Sequence, residues 1–284
     1  MDATVHRYRH RSAVPAGLLR SVVRDALGAH VNVAGASARI EAILLDIEGT
    51  TTPIAFVVDL LFPYARKHLR RHFEEHATSS TYASLFDQLR EEHAADQRAR
   101  ESVPAWVDAS PPARRDSAAS YAEWLMDRDR KSTPLKTLQG KIWEEGYQRG
   151  ELVGEVFADV PQALSRWQAQ GTPVSIFSSG SVLAQQLLFR HSSAGDLTPF
   201  LRWHFDTTTG KKTDSDSYRR IAAAMNMPPQ AILFVSDVVA ELDAARDAGL
   251  QTRLSIRPGN APLPPAQGHA VIRTFDELDS PPTR

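Results

Sequence analysis

Short apolar runs recur along the chain and predict the strands of one sheet. They occupy residues 40–46, 174–179, 232–237 and 252–256, with a weaker run at 270–272. Most of these runs end at a small or acidic residue, and a segment whose apolar residues have helical spacing follows. Strands that are apolar on both faces and alternate with helices are typical of a parallel sheet covered on both sides. The pattern predicts an α/β fold with a doubly wound, Rossmann-like sheet, whose ligands bind beyond the carboxyl ends of the strands.

Three helices are predicted between these strands, at residues 161–170, 181–190 and 239–248. Gly171 and Gly249 follow two of them directly, as expected where a helix ends, and Gly180 precedes the third.

The long stretch between the first two runs breaks the alternation of strand and helix. Amphipathic or Ala/Glu/Arg/Gln-rich segments predict helices at 55–75, 81–98, 117–127 and 135–151, with a proline-containing stretch at 103–115. A connection of this length requires structure of its own. We therefore expect a core domain of residues 37–54 and 155–284 and an inserted helical cap of residues 55–154, placed by connectivity over the end of the first strand.

Composition narrows the classes of function. The 284 residues include 33 basic and 34 acidic ones, so the net charge of −1 offers no general attraction to nucleic acid. No apolar run approaches the roughly 20 residues of a membrane span. The chain contains no cysteine, which excludes disulfides, thiolate nucleophiles and iron–sulfur clusters. Catalysis therefore depends on oxygen or nitrogen groups, and we expect any metal to be a hard ion held by carboxylates. We also expect no histidine-ligated zinc enzyme.

Residues 1–36 form a distinct N-terminal extension that is rich in arginine and poor in acids. Such a composition resembles a transit peptide, but the segment lacks the apolar region of a secretion signal. Three interpretations stay open: an extra helix or flexible arm, a start codon assigned upstream of a shorter protein, and an organelle signal. We expect a flexible extension and a cytoplasmic protein.

An acidic pair follows the first predicted strand. Asp46 and Glu48 point the same way in an extended segment, and Gly49 permits a sharp turn behind them. Two carboxylates in a small volume raise each other's pKa or bind a divalent cation. The alternative is an acidic turn that serves only backbone geometry.

Further polar residues follow the later strands. Ser178 and Ser179 precede a predicted helix, where hydroxyl and N–H groups suit a phosphate, although Ser181 alone could simply cap that helix. Asp237 follows the third strand and is by itself more typical of a helix cap. Lys211 and Lys212 lie in a glycine-containing loop and would alone be a surface pair.

The order of these groups, an acid pair, a hydroxyl, a lysine and a second acid, resembles the four motifs of haloacid dehalogenase-type phosphohydrolases. A closer resemblance is to the enolase-phosphatases (acireductone synthases) of methionine salvage. It spans about residues 40–278 and rests on these segments: DIEGTT at 46–51, IAFV at 54–57, LFPYA at 61–65, LQGKIW at 138–143, FADV at 157–160, SSGS at 178–181, HFDT at 204–207 and RPGN at 257–260.

The resemblance implies a role for each motif residue. Asp46 would be the nucleophile that forms an aspartyl-phosphate, and Ser178, Ser179 and Lys212 would bind the phosphoryl group, with Lys212 also catalytic. One Mg²⁺ per subunit would be held by Asp46, Glu48 and Asp237. Glu48 is also a candidate acid–base, and for the enolising base a cap residue or a water molecule stays open beside it.

The resemblance also implies a substrate, 2,3-diketo-5-methylthiopentyl-1-phosphate, converted to 1,2-dihydroxy-3-keto-5-methylthiopentene and phosphate. We expect a monomer that binds a small phosphate ester and neither nucleic acid nor membrane. Four cap aromatics are candidates to contact the methylthioalkyl tail, and we expect at least half of them to be cap core: Phe56, Phe62, Tyr64 and Trp143. The competing functions are a general metabolite phosphatase, a carbon–halogen hydrolase and a non-catalytic phosphate-binding protein.

Overall fold

The computed structural model describes residues 39–76, 79–260, 262 and 268–278. These residues belong to one compact unit, Arg39–Arg284. The expectations for residues 1–36 lie outside the described residues. No helix within the described ranges is long and apolar enough to cross a bilayer.

Within the described residues, six parallel strands form one sheet in the order β3-β2-β1-β4-β5-β6. They are β1 (Ala42–Leu45), β2 (Val174–Phe177), β3 (Leu201–Phe205), β4 (Ile232–Ser236), β5 (Gln251–Ser255) and β6 (Ala270–Ile272). This confirms the predicted α/β, doubly wound class. The strand order reverses between β1 and β4, which places a ligand-binding crevice beside the carboxyl end of β1.

The edge strand β3 was absent from the prediction. Leu201 is buried, Arg202 is exposed and the remaining three residues are half-buried. The expected signal for a parallel strand is a continuous apolar run, and an edge strand that is covered on one side lacks it. The sequence therefore contains no clear strand signal for β3, because the strand lies at the edge of the sheet.

The helices around the sheet follow the prediction closely, with one addition. Helices α5 (Val160–Ala169), α6 (Val182–Arg190) and α8 (Val239–Asp247) match three predicted helices within a residue or so. The addition is α7 (Ser215–Met225), which begins where the Asp214 side chain accepts a hydrogen bond from the Asp216 N–H.

Between β1 and β2 the chain is helical, as predicted. A π-helix at Phe56–Leu61 continues into α1 (Phe62–Glu75), and α2 (Ser80–Arg98), α3 (Pro111–Asp127) and α4 (Thr133–Gln148) follow. Helix α3 begins six residues earlier than predicted, because Ser110 caps it and Pro111 occupies its first turn. The domain boundaries proposed from the sequence stay a prediction.

Alternate residues of the central strands bury into two apolar clusters, one on each face of the sheet. Ile43 and Leu45 of β1 belong to the first, which includes α5 and α6 and continues into the cap helices. Ala42 and Leu44 belong to the second, with α7 and α8. Because β1 is enclosed on both faces, the turn that follows it starts from a rigid position.

Candidate active site

Asp46 leaves the end of β1 and opens a tight turn. The Ile47 carbonyl accepts hydrogen bonds from the N–H groups of Thr50, Thr51 and Thr52 at 3.1, 2.9 and 3.0 Å. The Asp46 carboxylate accepts the Ile47 N–H at 2.8 Å. Asp46 is only 3% exposed. Its side chain is therefore held at the carboxyl edge of the sheet by the turn itself.

Gly49 permits Asp237 to approach this turn. Its φ is +72°, and a Cβ atom at this position would collide with Oδ2 of Asp237. The side chain of Asn260 donates to the Gly49 carbonyl at 3.0 Å, and Arg257 Nε donates to the Thr50 carbonyl at 3.1 Å. Two side chains of the RPGN segment, Arg257 and Asn260, therefore hold the backbone of this turn by hydrogen bonds.

Lys212 provides the cation next to the nucleophile candidate. Its Nζ donates to Oδ1 of Asp46 at 2.5 Å and lies 2.6 Å from Oε2 of Glu241. Burial lowers the pKa of Lys212, but the two facing carboxylates outweigh burial and raise it. The side chain is therefore a fixed positive charge at neutral pH.

Glu241 and Ser236 belong to this network, and the sequence did not mark them as site residues. Ser236 Oγ lies 3.3 Å from Oδ2 of Asp46 and 3.0 Å from Oε2 of Glu241. The signal available in the sequence was spacing, since Glu241 follows Asp237 by one helical turn. That spacing could not show that Glu241 faces Lys212 from another element.

The carboxylates raise one another's proton affinity. Burial and then the neighbouring Asp46 raise the pKa of Glu48. The same two causes raise the pKa of Asp237 to about 7. Hard carboxylate oxygens are ligands that Mg²⁺ accepts, and a divalent cation would favour their ionised forms. The donor set at Asp46, Glu48 and Asp237 therefore fits Mg²⁺ in its chemistry. Among the described residues, however, these three side chains do not form a group with all ligand atoms within 4.8 Å.

The serine loop after β2 lies beside the acid cluster. Ser178 is buried and its Oγ accepts the Gly180 N–H at 3.1 Å. Gln185 Nε2 donates to the carbonyls of Gly180 at 3.0 Å and of Phe205 at 2.9 Å. Ser181 caps α6, as the alternative interpretation expected for it alone. The loop is thus fixed to β3 by a glutamine that sequence analysis missed.

All six residues predicted for the site line one pocket of about 440 Å³. They are Asp46, Glu48, Ser178, Ser179, Lys212 and Asp237. The cap supplies an apolar wall to the same pocket, which includes Val58, Phe62 and Trp143. The structure therefore brings together the groups that the sequence places up to 191 positions apart, from Asp46 to Asp237.

Two of the four candidate aromatics belong to this wall. Phe62 and Trp143 lie with ring centroids 6.1 Å apart, and the Trp143 indole donates to the Leu61 carbonyl at 2.8 Å. Phe56 is 4% exposed and packs in the apolar core. Tyr64 donates to Glu151 at the surface. Phe56 and Trp143 are thus the two of the four that are buried in the apolar core, and contact of any of them with the substrate tail stays a prediction.

Lys136 of α4 is a further pocket residue that the sequence did not single out. Its Nζ donates to the Ser179 carbonyl and to Thr207 Oγ1, both at 3.0 Å. Burial and then the nearby Lys131 lower its pKa. A cap lysine is thus bonded to the two core loops that flank the serine site.

The family model for haloacid dehalogenase-like hydrolases matches residues 40–249. Enolase-phosphatase E1 of Synechococcus elongatus is 51% identical over 239 residues, which cover 84% of this chain and 98% of that relative. Enolase-phosphatase E1 of Pseudomonas aeruginosa is 44% identical with the same coverage. The crystal structure of the UTR4 protein of Saccharomyces cerevisiae superposes with a TM-score of 0.68 at 32% identity, covering 84% of this chain and 99% of that one.

The parallel sheet, the acid pair after β1 and the family match define a haloacid dehalogenase-like hydrolase. Within this class, the identity and coverage of its relatives show that the chain belongs to the enolase-phosphatase family. It is an enzyme of the phosphatase type.

Proposed function

We propose that this chain converts 2,3-diketo-5-methylthiopentyl-1-phosphate to the acireductone 1,2-dihydroxy-3-keto-5-methylthiopentene and phosphate, as a step of methionine salvage. The observation that carries the proposal is the single pocket in which the acid cluster, the serine loop and Lys212 face an apolar cap wall. In a phosphate ester with an apolar tail, the phosphate matches the polar side of that pocket and the tail matches the apolar cap wall.

Asp46 is the proposed nucleophile. One of its oxygens attacks phosphorus, and the alcohol oxygen of the substrate leaves, which produces an aspartyl-phosphate that water then hydrolyses. Lys212 holds the carboxylate in place through its contact at 2.5 Å and offers positive charge to the phosphoryl oxygens. Ser178 and Ser179 are the proposed donors to those oxygens.

Asp46, Glu48 and Asp237 are the proposed ligands of one Mg²⁺. When bound, this ion would neutralise phosphate charge and reduce repulsion between the anionic substrate and Asp46. The choice of this ion rests on the family resemblance and on the carboxylate donor set.

Glu48 is the proposed acid–base. Burial and the neighbouring Asp46 raise its pKa, a direction that suits a group which protonates the leaving oxygen and later removes a proton from water. For the enolisation, Glu48 is our candidate base, with a cap residue or a water molecule as the alternatives. A proton next to a dicarbonyl becomes more acidic where positive charge stabilises the enolate.

The methylthioalkyl tail is proposed to lie against Phe62, Trp143 and Val58. Phe62 and Val58 are 42% and 52% exposed, although both are large and apolar. A thioether packs favourably against aromatic rings. Tail binding would cover these side chains and exclude water from the reacting end of the pocket.

The competing function is a general metabolite phosphatase on the same scaffold. The test compares kcat/KM for the diketo phosphate with kcat/KM for sugar phosphates and for a diketo phosphate that lacks the methylthio group. We expect the full substrate to be preferred by at least about tenfold over the truncated one, since a buried thioether group contributes about 1–3 kcal/mol. Equal values across the panel would favour the general phosphatase.

Two expectations, a monomeric state and a cytoplasmic location, stay predictions. Sedimentation of the purified protein tests the first, and fractionation of cells that express it tests the second.

A further inference from the structure

The cap contains a second group of metal-ligating side chains, apart from the acid cluster. His72 lies on α1, and His76 caps the C-terminus of that helix four positions later, with its N–H bonded to the His72 carbonyl and its ring beside the His72 ring. Glu145 faces them from α4. Its Oε1 lies 3.2 Å from Nδ1 of His72 and 2.5 Å from Nε2 of His76. One ligand atom from each residue lies within 4.8 Å of the others, which among the described residues identifies a candidate metal site.

Neighbouring side chains occupy the other polar atoms of His72 and Glu145, while Oε1 of Glu145 is hydrogen-bonded to Nε2 of His76, a contact that a bound ion would replace. Tyr82 contacts Nε2 of His72 by a hydrogen bond, which leaves Nδ1 to face Glu145. Arg149 lies 3.2 Å from Oε2 of Glu145, which leaves Oε1 to face both histidines. Orientation of ligands by partners of this kind is typical of metal sites.

His72 supplies an independent observation. The residue is 2% exposed, and its Nδ1, although 3.2 Å from Oε1 of Glu145, makes no hydrogen bond of adequate geometry within the described residues. Buried ring nitrogens are normally bonded, because an unsatisfied polar atom costs about 1–3 kcal/mol. A metal ion between Nδ1, His76 and Glu145 would satisfy this atom.

We propose that His72, His76 and Glu145 bind one Zn²⁺ that joins α1 to α4. Two imidazoles and one carboxylate match zinc, whereas Mg²⁺ prefers oxygen ligands, so the two proposed sites differ in the metal they select. Three protein ligands leave a fourth position for water. The side chain of His76 is 35% exposed, which provides an entry path from solvent.

The earlier expectation against a histidine-ligated zinc enzyme does not exclude this site. Glu74 and Glu75 lie between the two histidines, so the sequence does contain a histidine pair at helical spacing with glutamates between them. In the proposal, the ion holds two cap helices together and takes no part in phosphate release. Helix α4 also carries Lys136 and Trp143, which line the catalytic pocket. Zinc would thus fix a helix that contacts the substrate.

The test uses the full chain, treated with chelator and then kept in millimolar Mg²⁺ to occupy the acid cluster. Zn²⁺ is titrated by calorimetry and by competition with a chromophoric chelator, and thermal unfolding is followed in parallel. We expect one equivalent of Zn²⁺ to bind with micromolar or lower Kd and to raise Tm, because a ligand of the folded state alone stabilises it.

Three variants decide the assignment. His76→Ala and Glu145→Gln should weaken Zn²⁺ binding by at least about a hundredfold, since even supporting residues of metal sites cost about 10–100-fold. His68→Ala is the matched control. His68 lies on α1 one turn before His72, and its ring stacks on Tyr64 and not on the proposed zinc ligands. This variant should bind Zn²⁺ like the unaltered protein.

The proposal is overturned if the unaltered protein binds no Zn²⁺ at micromolar concentration. It is also overturned if folded His76→Ala and Glu145→Gln proteins both retain the original affinity. These outcomes do not depend on turnover of the diketo phosphate, so they are separate from a failure of the proposed function.

Discussion

The carboxylates of Asp46, Glu48 and Asp237 repel one another in one pocket, so the site is sensitive to the length and charge of each residue. Asp46 has Lys212 at 2.5 Å to compensate its charge. Glu48 and Asp237 have raised pKa values because burial and Asp46 both oppose their ionisation. Variants of Glu48 and Asp237 therefore test the proposed acid–base and metal-binding roles.

Glu48→Asp tests whether one residue serves both chemical steps. The change withdraws the carboxyl group by about 1.5 Å, and a misplacement of about 1 Å can cost a hundredfold in rate. If Glu48 acts in both steps, enolisation and phosphate release should both slow by about that factor. Rapid-quench separation of the diketo phosphate, the enol phosphate and the acireductone provides the measurement.

Accumulation of the enol phosphate in Glu48→Asp would limit Glu48 to phosphoryl transfer. Unchanged rates for both steps would remove it from catalysis.

Asp237→Asn tests the electrostatic crowding without turnover. The pKa of Asp237 rises from its ordinary 3.8 to about 7 on folding. Between these values the folded state holds a proton that the unfolded state lacks, so stability in chelator falls as pH rises toward 7. Above about 7 this contribution levels off. The asparagine variant should lose this part of the pH dependence and should be more stable than the unaltered protein in chelator at about pH 8.

Urea unfolding of both proteins from about pH 5 to about pH 8, with and without Mg²⁺, provides the measurement. The ion should stabilise the unaltered protein more than the variant. Parallel pH curves for the two proteins in chelator would contradict the account of Asp237.

Among the cap helices, α4 contacts the loops of the proposed catalytic site through a hydrogen-bonding side chain. It carries Lys136, whose Nζ bonds the Ser179 carbonyl and Thr207. Because one cap side chain contacts both core loops, its removal should loosen the serine loop and the cap together.

Lys136→Met shortens the side chain by one atom, keeps its unbranched shape and removes its charge. We expect KM for the diketo phosphate to rise by about tenfold, with a smaller change in kcat, since a hydrogen bond to a charged group contributes about 1.5–3 kcal/mol. Lys141→Met is the control on the same helix, because the amine of Lys141 lies over the Tyr82 ring instead. Equal KM values for the two variants would show that Lys136 has no positioning role.

The predictability of elements depended on where each lies in the sheet. Central strands β1, β2 and β4 were recognised from continuous apolar runs, because both of their faces are buried. Edge strand β3 was missed for lack of such a run. The π-helix at Phe56–Leu61 was predicted only as helix, because its apolar spacing does not distinguish the two helix types.

Site residues were also predictable only where a local sequence pattern located them. Asp46 and Asp237 directly follow strands and Glu48 lies two residues beyond Asp46, so the sequence located all three at the carboxyl edge of the sheet, while their joint role was implied by the family resemblance. Glu241, Gln185 and Lys136 could not, because their roles depend on contacts across elements that no local pattern encodes. The catalytic assignments of all of them stay predictions.

Across the whole molecule, one buried arginine connects distant segments. Arg257 donates to the Thr50 carbonyl at 3.1 Å, to Asp159 at 2.9 Å and to the Arg273 carbonyl at 2.8 Å. It is 5% exposed. The turn after β1, the start of α5 and the segment after β6 therefore share one side chain.

Arg257→Ala should destabilise the protein by about 3–5 kcal/mol, because it leaves the mostly buried Asp159 carboxylate without its cationic partner, with only the Phe275 N–H bonded to it. Arg202→Ala is the control at an exposed arginine of β3, and we expect a change within about 0.5 kcal/mol for it. Urea unfolding of both variants provides the comparison. A loss below about 1 kcal/mol for Arg257→Ala would contradict the structural role.

The most direct test of the central claim is simultaneous detection of both products from the diketo phosphate with Mg²⁺. Acireductone is followed by its absorbance and phosphate by a coupled assay, for the unaltered protein and for Asp46→Asn. We predict equal amounts of the two products from the unaltered protein. In the variant we predict a loss of phosphate release of at least about a thousandfold, since removal of nucleophiles in other enzymes costs more than this. Phosphate release without acireductone, or substantial turnover by pure Asp46→Asn protein, would contradict the account.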